Sequence, residues 1–177
     1  MNKIPEPIYN LKRLQRLDVA HIPLGDLPDR ISQITHLQSL NVCDTGLTRL
    51  PLNINKLRFL VELDIGSNRF SQFPTEIISL TGLRTLDAAH NSFTELPPEI
   101  AKLESLLHLD VSYNQLEQLP SFQCIRQLSQ LDVSNNKLTS LHESIFNLAQ
   151  LRFLYSSKNN LSKSDLRRKI KKRFCIK

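Results

Sequence analysis

The side chains best suited to chemistry are four aspartates that recur at nearly equal intervals: Asp64, Asp87, Asp110 and Asp132. Equal spacing puts these carboxylates at the same point of a repeating unit, where adjacent strands would hold them about 5 Å apart. Like charges that close repel one another by roughly several tenths of a kcal/mol, and a cationic partner would relieve this repulsion. The pattern also has a structural interpretation, because aspartates can order neighbouring strands or stay solvated.

Metal binding and catalysis are the other activities these residue types allow. His90 and His108 would lie near Asp87 and Asp110, but neither their spacing nor their chemistry selects a metal, and we predict no metal site. Cys43 has no base or orienting group arranged for nucleophilic catalysis. The sequence contains no GxSxG, phosphate-loop or HExxH pattern. We therefore predict a protein that is not an enzyme, with no cofactor and no small-molecule substrate.

A repeat of 22 or 23 residues positions all of these side chains. The segment L-x-x-L-x-[VIAS] begins at Leu14, Leu37, Leu60, Leu83, Leu106, Leu128 and Leu151. Each copy reads as one short strand with alternating apolar residues. A single strand cannot bury its apolar side alone. Neighbouring units must therefore stack, each adding a parallel strand, and the sequence predicts a solenoid.

Further columns of residues predict how each unit turns. An asparagine follows five of the strands, at Asn68, Asn91, Asn114, Asn136 and Asn159. A buried amide there can satisfy backbone groups of the turn that would otherwise lack partners. Proline then reverses the chain, since it suits a first helical position. Isoleucines pack the following helical turn onto the sheet, at Ile31, Ile54, Ile77 and Ile100.

Two adjacent units depart from this frame. The unit that begins at Leu106 is one residue short and has Phe122 in place of the usual isoleucine. The next unit has His142 where proline is expected. We predict a local kink between these two units with no change of fold.

The shared frame, LxxLxVxxNxLxxLPxxIxxLxx, resembles the leucine-rich repeat in its 23-residue variety, of the bacterial or Ras-suppressor-like type. The resemblance covers residues 4–161. It implies an α/β solenoid, a right-handed superhelix with a parallel sheet on the concave side. Short helical turns would form the convex side, and a helix would cap the C-terminal end. The resemblance also implies an interaction module that binds another protein.

We predict that this partner protein, whose identity the sequence does not give, binds the concave face. The predicted partner-binding residues are Glu62, Asp64, Thr85, Asp87, His90, His108, Asp110, Tyr113 and Asp132. Tyr113 is the candidate anchor, because exposed aromatic side chains concentrate interface energy. Phe153 and Tyr155 are expected to be partly buried against the C-terminal cap.

The chain reads as a single domain with three parts. Residues 1–13 form a partial N-terminal repeat, residues 14–161 form seven repeats, and residues 162–177 form a basic capping helix. Ser162 and Asp165 make a capping box ahead of an apolar stripe. At the other end, residues 1–13 give either a crude cap, which we favour, or an open strand edge through which two copies could associate.

The basic residues are concentrated in the C-terminal segment. Residues 167–177 hold seven of the 23 lysines and arginines, which leaves 16 cations against 17 acids elsewhere. The simplest interpretation is a solvated face of the cap. An alternative function is an adaptor that attaches to nucleic acid or anionic membrane through a basic patch of Arg167, Arg168, Lys169, Lys171, Lys172 and Arg173. A third interpretation docks this segment into the acidic concave face of a neighbouring molecule. We disfavour nucleic acid and membrane as partners.

Composition favours a soluble protein of a reducing compartment. Hydrophobic residues make up 40% and charged residues 23% of the chain. No stretch approaches the roughly 18 apolar residues of a membrane span. The three cysteines are odd in number and irregularly spaced, unlike a disulfide framework. We expect a cytoplasmic protein, or a secreted effector if the source is a pathogen.

Overall fold

Seven parallel strands form one open sheet in this computed structural model, which describes residues 3–162. The strands are β1 (Arg16–Asp18), β2 (Ser39–Asn41), β3 (Glu62–Asp64), β4 (Thr85–Asp87), β5 (His108–Asp110), β6 (Gln130–Asp132) and β7 (Phe153–Tyr155). Each strand pairs with the next one along the chain. The register advances by one repeat at every step, so that Asp87 pairs with Asp64 on one side and with Asp110 on the other. This is the α/β solenoid that the repeat predicts.

The alternation along each strand separates a core side from a solvent side. In β3 the central Leu63 is buried, while the flanking Glu62 and Asp64 reach solvent. The equivalent leucines of neighbouring coils line up behind the sheet, at Leu17, Leu40, Leu86, Leu109 and Leu131. Burial of this continuous row supplies the hydrophobic stabilisation that no single repeat could reach.

Short helices on the other side of the core make the convex layer. Among residues 3–162 five are 3₁₀ helices, at Glu6–Asn10, Asp29–Gln33, Leu52–Lys56, Thr75–Ser79 and Pro98–Lys102, and one is an α-helix, α1 (Glu143–Phe146). Helical turns take more room than strands about 4.8 Å apart, so the sheet forms the concave side. None of the helices found in residues 3–162 could span a lipid bilayer.

The prolines lie one residue earlier than predicted. Pro28 caps its 3₁₀ helix from the position before the first helical residue, with φ −66° and ψ 145°. The backbone N–H of Ile31 donates to the Pro28 carbonyl at 3.0 Å. Proline is therefore useful here for its extended backbone and its free carbonyl, not as a first helical residue.

The predicted role of the asparagines that follow the strands is confirmed, and we call this column the asparagine ladder. Asn114 is buried, and its side-chain amide donates to the carbonyl oxygens of Ala88, Val111 and Ser112, each at 3.1 Å. Its carbonyl oxygen accepts the backbone N–H of Phe93 at 3.0 Å. One side chain thus ties its own turn to the turn of the preceding coil. The same pattern recurs at Asn68, Asn91, Asn136 and Asn159.

The irregular repeat changes the convex layer and leaves the sheet continuous. Between β5 and β6 the described chain forms no helix, yet His108 pairs with Gln130 in the regular register. Without a 3₁₀ turn, the backbone N–H of Phe122 donates instead to the hydroxyl oxygen of Ser144 at 2.8 Å. His142 caps α1, because its Nδ1 accepts the backbone N–H of Ser144. The short repeat is therefore secured by the repeat that follows it.

The first coil is packed on its convex side and, among the residues described, has an unpaired strand edge, and its role as a cap or as an association edge stays a prediction. Tyr9 and Ile4 are buried, and Arg30 lies over the Tyr9 ring at 5.2 Å, so the convex half is covered. Strand β1 is an edge strand of the sheet formed by residues 3–162. The predicted capping helix lies, apart from Ser162, outside the described residues, and the division into three parts stays a prediction.

Candidate partner-binding face

The register brings all the predicted partner-binding residues onto one surface. We call this surface the concave sheet face and define it by three columns of residues. The strand column is Arg16, Ser39, Glu62, Thr85, His108, Gln130 and Phe153, and the acidic column is Asp18, Asn41, Asp64, Asp87, Asp110, Asp132 and Tyr155. The turn column is His21, Asp44, Ser67, His90, Tyr113, Asn135 and Lys158. That these residues bind a partner stays a prediction.

The aspartates of the acidic column have a structural role that the sequence analysis gave only as an alternative. Oδ1 of Asp64 accepts the backbone N–H of Gly66 at 2.8 Å. Oδ1 of Asp87 accepts the N–H of Ala89 at 3.0 Å in the same way. Asp110 and Asp132 repeat this contact two residues further along the chain. Each aspartate therefore fixes the backbone as it leaves its strand.

Burial acts against the charge on three of these carboxylates. It raises the pKa of Asp64, Asp87 and Asp110 from the ordinary aspartate value, while the backbone N–H bonds act to lower it. Other aspartates of the same column raise the pKa of each group further. The centre of the column is thus a row of three half-buried carboxylates whose charged form is disfavoured in the folded protein.

Neutralising these three groups should stabilise the protein at neutral pH. A group whose folded pKa is raised loses stability as the pH rises, because the folded state binds more protons than the unfolded chain. The triple variant Asp64→Asn, Asp87→Asn, Asp110→Asn keeps the Oδ1 acceptors and removes the repulsion. We expect it to gain roughly 0.2–1 kcal/mol per site at pH 7, after allowing for solvent screening.

Thermal unfolding of both proteins between pH 3 and pH 8 checks this expectation. The difference in stability between the triple variant and the wild type should grow as the pH rises above about 4, the ordinary aspartate pKa, and should disappear below it. The exposed Glu104 provides the control, since Glu104→Gln should leave the curve unchanged. A triple variant that is less stable than the wild type at pH 7 would contradict the expectation.

The turn column holds its side chains on left-handed backbone. All seven residues have φ between 52° and 60°, although none is glycine. This conformation costs a non-glycine residue about 1 kcal/mol, and it is retained where the surrounding structure enforces it. Here the backbone N–H of His90 donates to the carbonyl of Ser112, and that of Tyr113 to the carbonyl of Ser134, each at 3.0 Å. The turn column thereby extends the pairing of the sheet beyond the strands.

An aromatic stack stands on this strained backbone. The rings of His90 and Tyr113 are parallel within 12°, with their centroids 4.0 Å apart. Tyr113 is 46% exposed, as a binding anchor requires. Phe153 and Tyr155 are 51% and 46% exposed in the described structure. The residues of the cap that was expected to cover them lie outside the described part of the chain.

Charge is distributed unevenly over the concave sheet face. Arg16 reaches across β2 to Glu62, with a nitrogen–oxygen distance of 3.6 Å, and Lys158 lies at the far end. From β3 to β6 the three columns contain acids and no lysine or arginine. The centre of the face is therefore acidic, in a protein whose overall charge is +6.

Other candidate chemistry does not gather on this face. Cys43 is half-buried, and burial, followed by the Asp64 carboxylate, raises the pKa of its thiol, which makes the reactive thiolate scarcer. Among residues 3–162 no group of three or more histidine, cysteine or acidic residues is arranged to hold a metal ion. The predicted basic patch of Arg167, Arg168, Lys169, Lys171, Lys172 and Arg173 lies outside the described residues.

Comparison with known sequences gives two matches to family profiles. A profile described as "Leucine-rich repeat region" matches residues 1–89. A second, described as "Leucine rich repeat", matches residues 81–138. A search of curated protein sequences finds no match.

Solved structures give similar folds. A leucine-rich-repeat protein of Leptospira interrogans is 27% identical, with a TM-score of 0.74 over 98% of this chain and 56% of that one. The Arabidopsis receptor kinase HAESA, solved in complex with the peptide hormone IDA and the co-receptor SERK1, is 28% identical, with a TM-score of 0.76 over 89% of this chain. This chain spans about half the length of the first protein and 28% of the second.

Proposed function

The chain belongs to the leucine-rich-repeat family, and we propose that it works as an interaction module whose partner protein binds the concave sheet face. The leucine-rich-repeat fold is a general protein-interaction module. The exposed His90–Tyr113 stack is the observation that carries the assignment to this particular face. The Tyr113 ring stands on left-handed backbone that tyrosine rarely adopts, in a column whose other members include residues better suited to a left-handed turn, such as Asn135.

The setting of the stack supports the same proposal. Binding energy concentrates in a few aromatic anchors surrounded by groups that exclude water. The rings lie beside Asp87 and Asp110, whose charged forms are already disfavoured by burial. A partner that covered these carboxylates with compensating charge would relieve an existing penalty. The HAESA complex supports the broader idea, since that protein is solved with a peptide and with a second protein.

We propose further that the protein has no catalytic activity and works in the cytoplasm. Proteins of this family are typically non-enzymatic interaction modules. Cys43 and Cys124 are free thiols, which agrees with a reducing compartment. Fractionation of the native cells, with an antibody against the protein, tests the location.

Affinity capture from the native cell, followed by mass spectrometry, tests the proposed function. The matched variant combines Asp87→Asn, Asp110→Asn and Tyr113→Asn. Asparagine keeps the Oδ1 acceptors, and it is the residue that this protein itself places at φ 54° in the turn column. We expect recovery of the specific partner to fall at least about 30-fold, since a lost anchor weakens binding by about 2 kcal/mol or more.

A convex-side variant controls this experiment. Arg126→Ser and Glu143→Ser alter a groove beside the irregular repeat and should leave recovery unchanged. Equal recovery by the concave variant and the wild type would reject the proposed face. If capture instead disappears when the cations of residues 167–173 are replaced, and falls steeply with salt, the basic segment is the binding element.

A further inference from the structure

We propose that the concave sheet face binds an arginine side chain of the partner, stacked on the His90 ring and paired with Asp64 and Asp87. This inference rests on the proposed function and adds the chemistry of the partner. It commits to a guanidinium group, which is planar, always charged and able to donate several hydrogen bonds in one plane.

The turn column provides a flat aromatic platform with a small residue beside it. Tyr113 covers one face of the His90 ring at 4.0 Å. On the other side of His90 the column continues with Ser67, which has a small, exposed side chain. His90 therefore ends the stack next to a small residue, and a second planar group can lie against its ring there.

Two carboxylates lie close to each other at Gly66, the residue before Ser67. A Cβ atom placed on Gly66 would lie 3.1 Å from Oδ1 of Asp64 and 3.1 Å from Oδ1 of Asp87. Each Oδ1 already accepts a backbone N–H, and the described residues provide no hydrogen bond to either Oδ2. A guanidinium group stacked on His90 could donate one N–H to the Oδ2 atom of each carboxylate.

Charge complementarity selects a cation over other groups. The neighbouring carboxylates repel one another, and no lysine or arginine of the three columns offsets them between β3 and β6. The stack then selects arginine over lysine, because a delocalised guanidinium lies flat on a ring while an ammonium is a compact, strongly hydrated charge. An anionic or purely apolar segment would leave these acids unpaired.

Three matched peptides test the inference. Each carries fluorescein and a glycine–serine chain with three equally spaced residues, which are arginine, lysine or neutral citrulline. Binding to the full chain is followed by fluorescence anisotropy at physiological salt. We expect the arginine peptide to bind about three- to five-fold more tightly than the lysine peptide, and the citrulline peptide not to bind.

Two pairs of substitutions separate stacking from charge. His90→Asn with Tyr113→Asn should abolish the preference for arginine and leave the weaker lysine binding in place. Asp64→Asn with Asp87→Asn should weaken both cationic peptides at least about ten-fold. Phe59→Ser is the control, because Phe59 belongs to a second exposed stack, with His36, outside the concave sheet face. Circular dichroism confirms that each variant is folded.

Equal affinity for arginine and lysine would overturn the inference, and so would an arginine preference that survives loss of the stack. Its failure is distinguishable from failure of the proposed function. If the peptides show no preference while the variant of Asp87, Asp110 and Tyr113 still loses its captured partner, only the arginine site is rejected. If that variant retains its partner, the binding face itself is rejected.

Discussion

Replacing Asn114 with alanine is expected to lower the free energy of unfolding by about 3–5 kcal/mol, because several buried backbone groups lose their hydrogen-bond partners at once. The substitution removes the acceptor for the Phe93 N–H and the donor for three carbonyl oxygens. Each buried group left without a hydrogen-bond partner lowers the free energy of unfolding by about 1–3 kcal/mol. Urea unfolding followed by circular dichroism measures the effect.

Asn55 gives the matched control for this experiment, since it is exposed in the 3₁₀ helix Leu52–Lys56. Asn55→Ala should change stability by less than about 0.5 kcal/mol. Asn159→Ala should have a smaller effect than Asn114→Ala, because Asn159 is only half-buried. A loss below about 1 kcal/mol at Asn114 would show that water replaces these bonds and that the ladder does not hold the coils together.

Replacing Phe122 with alanine should cost about 3–5 kcal/mol, the range for a large aromatic side chain removed from a core. Phe122 is fully buried and stands where other repeats place isoleucine and a 3₁₀ turn. We attribute the aromatic ring to the volume left by the missing turn. Phe122→Ile should therefore also leave a cavity and cost about 1–2 kcal/mol, although isoleucine is the usual residue there.

Phe59→Ala is the control, since this phenylalanine is 58% exposed and removing it opens no cavity. Denaturant unfolding of the three variants gives the comparison. If Phe122→Ile is as stable as the wild type, the ring does not compensate for the absent turn. The irregular repeat would then be tolerated for another reason.

The fold could be predicted from the sequence because one pattern determines it repeatedly. Three features recur in register: the leucines of the strand, the asparagine after it and the isoleucine of the convex turn. Each further coil therefore predicts the same structure as the one before it. The N-cap position of the prolines was missed because helix boundaries depend on one or two hydrogen bonds, such as that from Ile31 to Pro28. The bond from Phe122 to Ser144 joins two irregular repeats, and neither repeat predicts it alone.

The membership of the concave sheet face was predictable, but the state of its side chains was not. Strand alternation placed Asp87 and His108 toward solvent. It could not show that the Asp87 carboxylate folds back onto the Ala89 N–H, which needs the path of the chain after the strand. The left-handed turn column had a faint signal in His21, Asp44 and Asn135, residue types that tolerate positive φ. Tyr113 made the left-handed backbone hard to predict for the whole column, since tyrosine rarely adopts it.

Amide chemical-shift mapping of the isotope-labelled protein with its captured partner tests the central claim most directly. If the partner binds the concave sheet face, the shifts should concentrate in residues 85–90, 108–113 and 130–135, with the His90 and Tyr113 ring signals among the most affected. Shifts concentrated instead in the convex helices Thr75–Ser79 and Pro98–Lys102 would contradict the account.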